Sequence, residues 1–142
     1  MNIFEKIKYL QNIEDLIIVE GKKDRMVLAS LGLDNILCIS GKSNHEVIDI
    51  LSSRTPHSVL ILTDYDREGE ERAKSLAKLF EKNHIKTNSL LRKKVKSIFR
   101  INKIEELKNL TKLSDIAPAL SLYDKLISKR TREKRIRKST HG

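Results

Sequence analysis

Three short apolar runs constrain this chain more than any other feature. LIIV (16–19), ILCIS (36–40) and VLIL (59–62) lack the alternation of a half-solvated strand and are too short for a helix. LIIV has four consecutive apolar residues, three of them β-branched. Such a run fits a strand covered on both faces, as in a parallel sheet. The intervening segments have helical spacing. In KKDRMVLASLGL, Met26, Val27, Ser30 and Leu31 predict one helical side, ending near Gly32. Ser43 or Asn44 is placed to cap a second helix with Val47, Ile48 and Leu51 as its buried stripe. Pro56 closes that region. Beyond the third run, Ala73, Leu76, Ala77 and Phe80 recur at i, i+3, i+4, i+7. Strand and helix alternate, so the expected class is α/β, with parallel strands, right-handed crossovers and helices on both faces.

The flanks are less regular. Ile3, Ile7, Leu10 and Ile13 predict a short amphipathic helix at residues 1–13. SLL (89–91) and Val95 to Phe99 are read as one or two further strands. From about residue 104 the composition shifts to a helical stretch, IEELKNL, and then through Pro118 to LSLYDKLISKR and a basic tail. The expected organisation is therefore a helix over 1–13, an α/β domain over 14–103, and a helical extension over 104–142.

Charge narrows the partners. Lys and Arg outnumber Asp and Glu by 29 to 19, a formal net charge of +10. The stretch KRTREKRIRK (129–138) has seven bases and one acid, and RKKVKSIFRINK (92–103) has six bases and no acid. A localised basic excess is the usual footprint of a polyanion. The tail lacks the apolar face of an interfacial helix, which favours nucleic acid over a membrane surface. No apolar run approaches the ~20 residues of a membrane span. MNIFEKIKYLQ does not read as a signal peptide. One cysteine, Cys38, excludes an internal disulfide and a thiolate-rich zinc site, and is read as a buried strand residue. A cytoplasmic location follows as the expectation.

Against that basic background, VLILTDYDREGEE (59–71) crowds Asp64, Asp66, Glu68, Glu70 and Glu71 behind a strand. In parallel α/β sheets, ligands gather beyond the carboxyl ends of strands at a topological switch point. Glu20 ends the first strand, and Asp64 and Asp66 end the third. If the strand order is 2-1-3, these carboxylates meet. Hard oxygen ligands without His or Cys select Mg²⁺, with Mn²⁺ as substitute. A plainer reading makes Asp66 a helix cap and puts Glu68 and Glu70 in the first turn, where negative charge suits the helix dipole. SGKS (40–43) lacks the glycine of a phosphate loop, and Gly41 is read as a turn residue needing unusual backbone angles. The histidines are scattered, and the tyrosines stand in unremarkable contexts. With aromatics at 4%, base stacking is a weak mode of binding.

IIVEGKKD (17–24) and LILTDYDREGEE (60–71) resemble the two signature motifs of the toprim domain, over roughly residues 14 to 100. That domain is shared by type IA topoisomerases, bacterial primases, some nucleases and the ribonuclease that matures 5S ribosomal RNA. The resemblance implies a compact Rossmann-like toprim fold. It also implies Glu20 as general acid/base, Asp64 and Asp66 as Mg²⁺ ligands, and Glu68 as a third acidic position. Tyr65 stands where many relatives have proline, a departure expected to be tolerated. The chain lacks a topoisomerase's separate tyrosine domain and a primase's larger body. It is most similar to the small, nearly toprim-only proteins of archaea grouped with the 5S RNA maturase.

The implied activity is Mg²⁺-dependent phosphodiester cleavage of structured RNA or DNA. Lys22, Lys23, Arg67, Arg92, Lys93, Lys94, Arg130, Arg132, Arg135 and Arg137 are the candidate phosphate contacts. The competing expectation is a non-catalytic nucleic-acid-binding module within a larger RNA-processing or ribosomal assembly, alongside other proteins of that assembly.

Overall fold

The computed structural model describes residues 1–111 and Leu126. Met1–Asn109 form one compact unit, and Leu110–Gly142 belong to a second. The elements of the first run in the order expected for an α/β chain. They are α1 (Ile3–Gln11), β1 (Leu16–Val19), α2 (Lys22–Ser30), β2 (Ile36–Cys38), α3 (Asn44–Arg54), β3 (Val59–Ile61), α4 (Arg67–Lys82) and α5 (Ser89–Phe99). A 3-10 helix, Ile104–Thr111, follows.

The three apolar runs form one sheet in the order β2-β1-β3. Both pairings are parallel, with Ile18 opposite Leu37 on one side and opposite Ile61 on the other. Residues alternate between sheet faces. Ile18, Leu37, Ile39, Val59 and Ile61 therefore pack with Val47 and Leu51 of α3 and with Ala73, Leu76 and Phe80 of α4. Ile17, Val19 and Leu60 have the opposite parity and are equally buried. Burial of both parities explains why the sequence shows bare apolar runs. Each fully buried Leu, Ile or Phe contributes about 1.5–3 kcal/mol, and the strands share that burial with the helices packed on them.

Local chemistry sets the element boundaries. Ser43 caps α3, its hydroxyl accepting the Glu46 N–H at 3.1 Å. Gly41 takes φ +74°, as expected for a turn position. The outer edge of β3 is covered near its start: Val59 N–H donates to Lys86 O and Asn88 N–H donates to Val59 O.

Three expectations change. Residues 89–99 are helix, not strand. Asn88 Oδ1 accepts the Leu91 N–H, and Arg92, Val95 and Phe99 fall at helical spacing on the buried side. Met26 and Ser30 are exposed, and α2 buries Leu28 instead, two positions beyond Met26. Cys38 is only half-buried. The stretch beginning at Ile104 is helical as expected, but of 3-10 type, with Ile104 and Leu107 fully buried. The basic tail and the helix expected from residue 119 lie outside the described residues. Among the described residues, no helix is long and apolar enough to cross a membrane.

Candidate metal and phosphate site

The strand order meets the condition on which the acidic reading depended. β1 and β3 are neighbours, and Leu62 N–H donates to Ile18 O just past the paired residues. Glu20 leaves the carboxyl end of β1, and Asp64 and Asp66 leave the carboxyl end of β3.

The β3–α4 turn is heavily braced. Gly69 lies in the first turns of α4, against the backbone of Asp64. A Cβ there would stand 2.0 Å from Asp64 O and 2.4 Å from its carbonyl carbon. Only glycine permits this approach, which explains the glycine within the acidic run. The buried Thr63 hydroxyl donates to Gly69 O at 2.7 Å. Asp66 caps α4, with Oδ1 accepting the Gly69 N–H at 2.8 Å. Asp64 Oδ1 accepts the Ile104 N–H at 2.9 Å, and Tyr65 N–H donates to Asn102 O. Each aspartate thus has one oxygen bound to backbone.

Arg92 corrects the expectation that it would face phosphate. It is buried, and its guanidinium donates to Ile61 O, Thr63 O, Asp64 O and the Glu70 carboxylate, all at 2.8–3.1 Å. It also lies 4.3 Å from the centre of the Tyr65 ring. Arg92 is therefore the brace that ties α5 to the end of β3. Glu70, turned to Arg92, belongs to this brace.

Tyr65 is likewise far from unremarkable. Its ring is buried, and its hydroxyl donates to Arg92 O at 2.8 Å. Burial pushes the phenol up to about 12; Arg92 opposes that rise and Glu70 adds to it. A proline at this position could not donate the N–H that reaches Asn102 O.

The β1–α2 turn is more open. Glu20 is exposed, and its Oε1 accepts from Arg72 Nε of α4 at 2.9 Å. Asp24, in the first turn of α2, was assigned no role from the sequence although it closes the first motif. Its carboxyl is held above its ordinary value, first by burial, then by the charges of Asp64 and Glu105, and more weakly by Glu20; a hydrogen bond from the Gly21 backbone opposes this. Asp24 therefore senses acids from both turns and from the 3-10 helix. The D at the end of IIVEGKKD was the signal available in the sequence; Glu105 had none.

Among the described residues, no three His, Cys, Asp or Glu side chains are grouped closely enough to cage a metal. Glu68 is exposed on the first turn of α4 and is not drawn into such a group. The donor set nevertheless fits Mg²⁺, which commonly takes one or two carboxylates and completes its shell with water and substrate phosphate. Asp24, raised first by burial and then by the charges of Asp64 and Glu105, faces carboxylate charge that a cation there would offset.

Lys22 and Lys23 are exposed at the start of α2, and Arg67 is exposed at the start of α4, 3.5 Å from Glu71. Lys93 and Lys94 are exposed on α5. Arg130, Arg132, Arg135 and Arg137 lie outside the described residues.

The family model of the Toprim domain matches residues 15–101. A UPF0292 protein of Thermococcus onnurineus is 39% identical over 106 residues, covering 72% of this chain and 78% of the relative. That of Pyrococcus abyssi is 40% identical over 112 residues, covering 76% and 83%. That of Methanocaldococcus jannaschii is 32% identical over 96 residues, covering 67% and 74%. A solved structure of a protein from Aquifex aeolicus superposes with a TM-score of 0.66 at 31% identity, covering 74% of this chain and 97% of the other.

Proposed function

The chain belongs to the Toprim family, a metal-binding, nucleic-acid-processing family, and from that premise we propose that it is a Mg²⁺-dependent nuclease of structured RNA or DNA. The observation that supports this most is the adjacency of β1 and β3, which sends Glu20 and Asp64 out of neighbouring parallel strand ends. Asp64 and Asp66 would hold the cation, each through the carboxylate oxygen that does not bind backbone, with Asp24, in the first turn of α2, as a further acid. Bound there, a divalent cation supplies charge neutralisation at a phosphodiester and polarises it toward attack.

In this reading Glu20 moves the proton. Its exposure lets it reach a water or a leaving oxygen, and Arg72 orients it meanwhile. Lys22, Lys23 and Arg67 would offset phosphate charge at the two helix starts, with Lys93, Lys94 and the tail arginines extending the basic surface. Glu68, exposed on the first turn of α4, would be a further acid available to the cation.

The test is cleavage of end-labelled structured RNA and duplex DNA by wild type and Asp64→Asn, with Mg²⁺, Mn²⁺ or EDTA. Cleavage that needs the metal and is lost in the variant is the expected result. Binding without cleavage, unchanged by EDTA and by the substitution, would instead mark a binding module that works through its basic surface.

A further inference from the structure

Beside the braced turn, lined by Tyr65, Glu70 and Arg92 among others, lies a cavity of about 330 Å³. None of Glu20, Asp24, Asp64 and Asp66 lines it. Its floor is apolar, formed by Ile61 of β3 and by Ala73 and Ala77 of α4. Tyr65 forms one wall. Three lysines, Lys74, Lys93 and Lys96, stand around it on α4 and α5. All three are exposed. Among the described residues Lys74 and Lys93 make no ion pair, while Lys96 lies 5.8 Å from the centre of the Tyr65 ring.

Thr87 also lines the cavity, and its hydroxyl is the buried side-chain polar atom without a hydrogen-bond partner among the described residues. Buried polar groups in folded proteins are nearly always paired.

We propose that this cavity binds a nucleotide unit bearing a single phosphate, either free or at the end of a strand. The volume falls at the lower end of the range for small-molecule sites, which combine apolar lining with a few polar groups. The apolar floor and the Tyr65 ring offer a slot for a flat base. Lysines act as point charges suited to phosphate. Thr87 supplies a hydrogen-bonding group that a simple aliphatic or aryl anion would leave unmatched. The acid face could not take such an anion without a metal, whereas this cavity sets Lys74, Lys93 and Lys96 against the single carboxylate of Glu70, which Arg92 already pairs. Occupancy is therefore independent of divalent cations, and the site does not rest on the proposed nuclease activity.

The experiment is titration of the ¹⁵N-labelled full chain, in EDTA, with AMP, adenosine, inorganic phosphate and a 5′-phosphorylated oligoadenylate trinucleotide. AMP is expected to shift amides of Tyr65, residues 73–77 and residues 87–96, with adenosine and phosphate at least tenfold weaker. Stronger binding by AMP than by the trinucleotide assigns the site to a free nucleotide; the reverse order assigns it to a strand end. Ala77→Leu, which fills the floor, should abolish these shifts while leaving the rest of the spectrum dispersed. Lys74→Ala with Lys93→Ala should weaken AMP at least fivefold. Equal effects of phosphate and AMP, shifts confined to the Glu20 and Asp64 turns, or no shift with either nucleotide at millimolar concentration would each overturn the assignment.

Discussion

The two turns that form the acid face are built by opposite means. The β3–α4 turn is locked from below by Arg92, from one side by Gly69 and Thr63, and from the other by the backbone of Asn102 and Ile104. The β1–α2 turn has an exposed glutamate held by one half-exposed ion pair. A metal ligand gains from being fixed, because repulsion between like charges then cannot be relieved by movement away from the ion. A proton-transfer group gains from reach. The contrast accords with Asp64 and Asp66 as ligands and Glu20 as the acid/base.

The largest expected effect is on the locked side. Gly69→Ala forces a Cβ into the Asp64 carbonyl and should cost about 3 kcal/mol or more in urea unfolding. Tolerance of alanine there would remove the basis for calling that turn locked. Arg92→Met leaves the Glu70 carboxylate and three carbonyls without their donor. Because Glu70 is partly exposed, the expected cost is about 2–3 kcal/mol, with weakened Mg²⁺ binding measured by calorimetry. Lost stability with unchanged Mg²⁺ affinity would separate the brace from the metal face.

Tyr65 gives a pH test of the same brace. Its phenol is raised from 10 to about 12, so the native state holds the proton more tightly than the unfolded chain. Stability is therefore unaffected below pH 10 and falls as pH rises from 10 toward 12, by about 3 kcal/mol in all. Tyrosinate absorbance should show one phenol titrating late, and the delay should vanish in Tyr65→Phe. On the open side the effect should be smallest. Arg72→Ala removes an exposed pair and should shift stability by less than about 1 kcal/mol. It should nevertheless slow any cleavage, since Glu20 loses the side chain that orients it. A stability loss as large as that of Arg92→Met would erase the distinction between the turns.

Tyr65 and Arg92 show where sequence reading stops. As letters, YDRE and LLRKK suggest a solvated turn and a basic strand or surface. In the fold, one residue is a buried hydroxyl donor and the other a buried guanidinium serving four acceptors. Neither role has a local pattern, because the partners lie about thirty positions away. The helical spacing of Arg92, Val95 and Phe99 was visible, but reading it required an arginine to be counted as an inward residue.

The strands, the four helices that precede or follow them, and the places where acids would emerge were determined by the sequence alone. These depend on short-range periodicity, apolar runs covered on both faces, and capping residues within three positions of the groups they cap. The tertiary structure decided that β1 lies between β2 and β3, and that the charges of Asp64 and Glu105 bear on Asp24. It also decided that one of the basic residues is interior. Those outcomes depend on which distant groups are brought to hydrogen-bonding or Coulombic range, and a linear pattern does not encode that proximity.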